Sequence, residues 1–343
     1  MCAMRLSERQ PEIRPDELVE SLVPPPRFDD VRLATYLPNE DEPSQRAAVT
    51  ACAEFITEVN SDSKAKPRWR RLFGGAGNGE TGVSGRYFDG GFGVGKTHLL
   101  ASIWHAVEGP KAYATFVELT HLVGALGFNT AVERLRAHRL LAIDEFELDD
   151  PGDTMLVTRL LSELMNAGVR IAATSNTLPD KLGEGRFAAE DFLREIHALS
   201  ARFAVVRVDG PDYRHRGLAP APEPLDDAAL RESAASKADS TLDDFDELCT
   251  ALQSLHPSRY GRLLDGVSVV HLSQVRPASD QNVALRLVSF ADRLYDRAIP
   301  VLVSGQPVSE LFGAEMLSGG YRKKYLRAVS RLAALARDGA VIS

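Results

Sequence analysis

One octapeptide constrains this chain more than any other stretch: Gly90-Gly91-Phe92-Gly93-Val94-Gly95-Lys96-Thr97. It fits G-x4-G-K-[ST], the pattern of a phosphate-binding loop. Glycines let such a loop wrap tightly, so that successive backbone N–H groups face an anion. The helix that follows turns its positive end to the same place. Lys96 is then the side chain that reaches the β and γ phosphates, and the Thr97 hydroxyl ligates Mg2+. With His98 included, Gly90 to His98 is the expected cofactor-binding run. A chain of 343 residues meets the pattern by chance on the order of one time in a hundred. The strand before it (Tyr87-Phe88) and the helix after it (Thr97 to Val107) lower those odds further.

The second half of the site lies about 50 residues on, as such loops arrange it. Leu140-Leu141-Ala142-Ile143 is a continuous apolar run, as for a strand buried on both faces, and it ends in Asp144-Glu145. Ligands bind at the carboxyl ends of parallel strands. Asp144 is therefore expected to hold the metal, directly or through water, and Glu145 to orient and deprotonate an attacking water. A third strand, Ile171-Ala172-Ala173-Thr174-Ser175, ends in Asn176, placed to hydrogen-bond the γ phosphate or that water. No N-K-x-D sequence is present to read guanine, which favours ATP over GTP.

Tyr113–Val117 and Ala204–Val208 read as further strands, and the strand before Asn176 reads as Val169–Thr174. Strands alternating with helices imply a parallel sheet with helical cover. The expected fold is α/β: a P-loop core with a five-stranded parallel sheet flanked by helices, plus a C-terminal α/β or helical lid module. Three domains follow, an N-terminal extension and helix over 1–63, the ATPase core over 64–217, and a linker with the lid-like module over 218–343. The helix begins at Pro43-Ser44. In the last module Ser240-Thr241 is expected to cap a helix bearing Leu242, Phe245, Leu248, Cys249 and Leu252. Strands are expected at Val267–Leu272 and Ile299–Val303, and a helix near Val283–Tyr295.

Net charge is −8 and the pI about 5.6, which argues against a protein built to coat nucleic acid. Three cysteines, Cys2, Cys52 and Cys249, show no metal-ligand spacing. No apolar run approaches a membrane span, so the expectation is a cytoplasmic protein, peripheral to a membrane at most. The basic run 64–71 reads as a solvated surface or as a dock for acidic tails or lipid head groups.

The wording of four stretches resembles the ZapE family of AAA+ ATPases, bacterial relatives of a mitochondrial AFG-type ATPase. These are Tyr87 to Leu100, Ile143 to Asp150, Ala173 to Pro179, and Val206 to Arg214 with its Asp212-Tyr213-Arg214. The resemblance implies an oligomeric ATPase, using ATP and Mg2+, whose sites are completed by an arginine from the neighbouring subunit. Arg202 is the best match for that finger, with Arg186 and Arg194 as rivals. It also implies a second sensor among Arg286, Arg327 and Arg331; Leu285 stands where the family has the first of two arginines. It implies a protein client in the division machinery, with the division tubulin FtsZ foremost. Two alternatives stay open: a helicase-loader-like helper of DNA replication, and a nucleotide-gated scaffold without turnover.

Overall fold

The computed structural model describes residues 4–11, 17–61, 83–91, 93–146, 151–177, 190–211 and 221–342. Helix α1 (Pro43–Ser61) buries Ala48, Cys52, Phe55 and Val59 along one face, at the three- and four-residue spacing of a helix. Strand and helix then alternate: β1 (Gly85–Gly90), α2 (Lys96–Ala106), β2 (Lys111–Thr115), α3 (Phe116–Leu126), α4 (Phe128–Leu135), β3 (Leu140–Asp144), α5 (Pro151–Asn166), β4 (Arg170–Ser175), α6 (Glu190–Ser200) and β5 (Phe203–Val208). The five strands form one parallel sheet in the order β2-β3-β4-β1-β5. Every residue of β3 is buried, which requires cover on both faces of the sheet.

Parallel pairing decides where the polar strand ends go. β1, β3 and β4 run the same way, so their carboxyl ends share one edge. Asp89 pairs with Ser175, and Ile143 with Ala173. The glycine loop, Asp144-Glu145 and Asn176 therefore leave the sheet side by side. The strand expected over Tyr113–Val117 ends sooner, at Thr115. Thr115 caps α3 reciprocally: its hydroxyl accepts from Glu118 N at 3.3 Å, and its own N–H donates to Glu118 Oε2 at 2.8 Å. Phe116 and Val117 thus begin the helix.

The chain divides into two units, one of Arg14–Pro24 with Phe28–Arg216 and one of Met1–Ile13, Pro25–Arg27 and Gly217–Ser343. Helix α1, expected in a separate N-terminal extension, packs its apolar face with Phe88, Leu99 and Val208 and so belongs to the first unit. Residues 4–11 fall in the second unit, where Leu6 is buried in its core. Of the expected linker, 221–224 carry no regular structure; 218–220 lie outside the described residues, as does the whole basic run 64–71.

The second unit is itself α/β. It holds α7 (Asp227–Ser236), β6 (Ser240–Asp244), α8 (Phe245–Ser254), β7 (Val269–Val275), α9 (Gln281–Asp296), β8 (Val301–Gly305) and α10 (Arg322–Ile342), with a parallel sheet β6-β7-β8. Ser240 and Thr241, expected to cap a helix, instead pair with Val269 and Val270 as the start of β6. The cap is Asp244, whose carboxylate accepts from Asp246 N at 2.9 Å and Glu247 N at 3.2 Å. Leu242 accordingly sits on a strand.

Sheet packing at Gly85 gives a direct test. A Cβ there would lie 2.7 Å from the Phe203 ring and 2.8 Å from the Ile171 carbonyl oxygen. Gly85→Ala is expected to destabilise the chain by about 1–3 kcal/mol in urea unfolding. Gly124→Ala, on α3 with nothing within 4 Å, is the control and should be neutral or stabilising by up to about 1 kcal/mol.

Candidate nucleotide site

The loop between β1 and α2 turns on two glycines in the left-handed region, Gly93 at φ 68° and Gly95 at φ 90°. Gly95 is also the residue before the first turn of α2. The Lys96 side chain runs back along the loop. Its ammonium donates to the Gly90 carbonyl at 2.8 Å, the Gly91 carbonyl at 2.6 Å and Asn176 Oδ1 at 2.9 Å. The last bond joins the end of β4 to the loop, so two of the expected site elements meet at one atom. Phe92 lies outside the described residues.

Asp144 joins the third. Its carboxylate accepts hydroxyls from three elements: Thr97 at 3.3 Å, Tyr113 at 3.1 Å and, closest, Thr174. Only 8% of Asp144 is exposed. Burial pushes its pKa up, as does the neighbouring Glu145 charge, and the three hydroxyl donors oppose the rise. Glu145 itself takes a left-handed backbone, φ 53°. A non-glycine residue held there costs on the order of 1 kcal/mol, and such strain gathers at functional sites. Thr174 holds the bend in place. Its hydroxyl accepts from Glu145 N at 3.1 Å, and its carbonyl accepts from Phe146 N at 2.7 Å. Phe146 is buried edge-on against Tyr87 and Phe116. Tyr87 in turn donates to the Thr177 carbonyl at 2.8 Å, just past Asn176.

The site thus brings together Gly90, Gly91, Gly93, Val94, Gly95, Lys96, Thr97, Asp144, Glu145 and Asn176. His98 turns its ring to an earlier segment, with Nε2 3.0 Å from Thr35 Oγ1 and 3.1 Å from the Arg32 carbonyl. Sequence reasoning missed Tyr113 and Thr174. An aromatic or a threonine inside an apolar strand reads as packing, and neither carries a spacing signal toward Asp144.

The arginines lie elsewhere. Arg202 precedes β5, at the amino-terminal edge of the sheet, and donates to Asn166 Oδ1 at 2.8 Å. The strand of six residues that follows puts it about 17–20 Å from its own loop. Arg194 is exposed on α6, and Arg186 falls outside the described residues. In the second unit Arg327 and Arg331 both grip Asp292, and Arg286 donates to the Leu255 carbonyl at 3.0 Å.

Strand order, loop and paired acids define a P-loop ATPase of the AAA+ type. A family model for the AFG1-like ATPases matches residues 16–237 and 226–341. The chain belongs to the AFG1-like ATPase family. It is 26% identical over 340 residues to the cell division protein ZapE of Escherichia coli strain K12, covering 84% of this chain and 89% of that one. An uncharacterized protein of Schizosaccharomyces pombe is 28% identical over 209 residues, 50% of this chain and 46% of that protein. Among solved structures, domain III of the Thermotoga maritima replication initiation protein DnaA aligns with a TM-score of 0.40 at 21% identity, over 54% of this chain and 69% of that one.

A buried carboxylate with a raised pKa opposes folding once it is charged. That cost is absent below the ordinary carboxylate range and fully present above the raised pKa. Asp144→Asn is therefore expected to stabilise the chain against urea near neutral pH, with the gain fading as pH falls through the raised pKa and gone below about 4. A gain that does not change with pH would mean that the Asp144 charge is not its source.

Proposed function

We propose that the chain hydrolyses ATP to ADP and phosphate and couples this to remodelling or regulating a protein partner. One observation carries the reading: Thr97 Oγ1 lies 3.3 Å from Asp144 Oδ1, and the ammonium of the preceding residue, Lys96, holds Asn176. A hydroxyl and a carboxylate suit Mg2+, a hard cation that takes one or two protein oxygens and keeps several waters. Thr97 and Asp144 would hold it. Bound there with ATP, Mg2+ would neutralise charge on the phosphate oxygens.

The other roles belong to the chain's own groups. Amides after Gly90 and the start of α2 bind the phosphates. Lys96 moves from the loop carbonyls to the β and γ oxygens. Glu145, bent out of the strand by its left-handed backbone, orients a water and takes its proton. Asn176 hydrogen-bonds the γ phosphate or that water. Arg202 lies on the far edge from its own loop, so it serves a neighbour's site in a homo-oligomer. The partner is a protein of the cell-division machinery, FtsZ foremost; this rests on the likeness to ZapE and on the acidic charge, which disfavours nucleic acid.

Lys96→Ala should abolish ATP binding in calorimetry. Glu145→Gln should bind ATP as tightly as the unaltered chain and lose about 100-fold or more in turnover. Full turnover in a clean Glu145→Gln preparation would remove Glu145 from the mechanism. Arg202→Ala should bind ATP without turnover, and mixing it with Lys96→Ala should restore part of the activity, because each subunit supplies what the other lacks. Polymerised FtsZ should stimulate turnover. Steeply salt-dependent DNA binding would point to a replication helper instead, and absence of turnover with any partner to a scaffold.

A further inference from the structure

A short segment, 32–36, leans on the loop from outside. Tyr36 is 8% exposed, and its hydroxyl donates to the Val94 carbonyl at 2.8 Å. The edge of the ring abuts Gly95: a Cβ built there would sit 2.5 Å from Tyr36 Cε2, with Cδ2 and Cζ at 3.4 and 3.5 Å. Gly95 is thus required twice, by its left-handed φ of 90° and by the ring. His98 locks the segment from the other side. Its ring meets Tyr36 edge-on at 5.6 Å between centroids, and its Nε2 bridges Thr35 Oγ1 and the Arg32 carbonyl. A carbonyl only accepts, so the bond to Arg32 puts the proton on Nε2.

One peptide bond makes this contact matter. Val94 C=O and Gly95 N–H belong to the same planar trans unit, so they point in opposite directions. Holding the oxygen toward Tyr36 directs the Gly95 N–H away from it. In a glycine-rich loop with φ values near +70 to +90°, that peptide has two accessible orientations, because glycine pays no Cβ penalty in either. The wrong one would present a carbonyl dipole to an anion.

We infer that Tyr36 is a positioning residue for nucleotide binding: its hydroxyl fixes the Val94–Gly95 peptide so that the Gly95 amide is presented to the phosphates. The inference rests on the ATPase reading and adds a residue that lies outside the loop, some 60 positions earlier. It places the amide's orientation under the control of segment 32–36, and it assigns Tyr36 to binding rather than to chemistry.

The test is Tyr36→Phe in the full chain, which keeps the ring against Gly95 and deletes the hydroxyl. Calorimetry with ADP and with ATP plus Mg2+ should show Kd raised about five- to twentyfold for both nucleotides, the scale of one weakened hydrogen bond to a charged group. The turnover number at saturating ATP should stay within about twofold, with KM carrying the loss. In the ADP complex the Gly95 amide proton resonance should move upfield relative to the unaltered chain. A thermal midpoint within about 2 °C of the unaltered chain is expected. Unchanged Kd in Tyr36→Phe, while the unaltered chain binds ADP, would overturn this inference and leave the ATPase reading standing. Equal falls in turnover and thermal midpoint would also overturn it, as a loss of fold. Absence of ADP binding by the unaltered chain would sink both.

Discussion

Three hydroxyls on one buried carboxylate hold the nucleotide site together. Asp144 takes a proton donor from Thr97 on the helix after the loop, from Tyr113 on β2 and from Thr174 on β4. Each donor comes from a different element of the first unit, so the carboxylate ties the loop-bearing helix to the sheet edge. Burial and the adjoining Glu145 make the charged form costly, and the hydroxyls are what the fold offers against that cost. A divalent cation bound beside Thr97 would offset it far more strongly.

The rest follows from direction. Because β1, β3 and β4 run parallel, a glycine loop, an acid pair and an asparagine that are far apart in sequence leave one edge of the sheet. Two backbone bends finish the arrangement. Gly95 turns the chain into α2 at positive φ, and Glu145 leaves β3 at positive φ. The first is free for glycine; the second is held by Thr174, whose hydroxyl serves Asp144 and Glu145 at once. Arg202 sits where parallel geometry must put a residue that precedes a strand, at the opposite edge.

Much of this was legible in the sequence. The loop and the acid pair stand out because phosphate cradles need glycines in a set order, and because buried parallel strands read as unbroken apolar runs such as Leu140 to Ile143. Less was visible where local preference and tertiary context disagree. Ser240-Thr241 has the composition of a helix cap, yet pairing with Val269 and Val270 makes it a strand, and the cap passes to Asp244. Tyr113 and Tyr36 gave no sign of their hydroxyl partners, since an aromatic in a strand or a coil carries no spacing toward a residue 31 or 58 positions away. Helix α1 looked like an appendage because only its own periodicity could be read, not the Phe88 and Val208 that receive it.

Convergence of loop, hydroxyl and carboxylate on one metal–nucleotide complex is the claim on which the reading of the whole chain turns. Paramagnetic broadening by Mn2+ with ATP, read on the backbone amides of the isotopically labelled full chain, tests it directly. A shared centre predicts that Gly95 to Thr97, Asp144 to Glu145 and Ser175 to Asn176 broaden together at substoichiometric Mn2+, and only when ATP is present. Broadening centred on other residues, or on Asp144 without the loop amides, would contradict it.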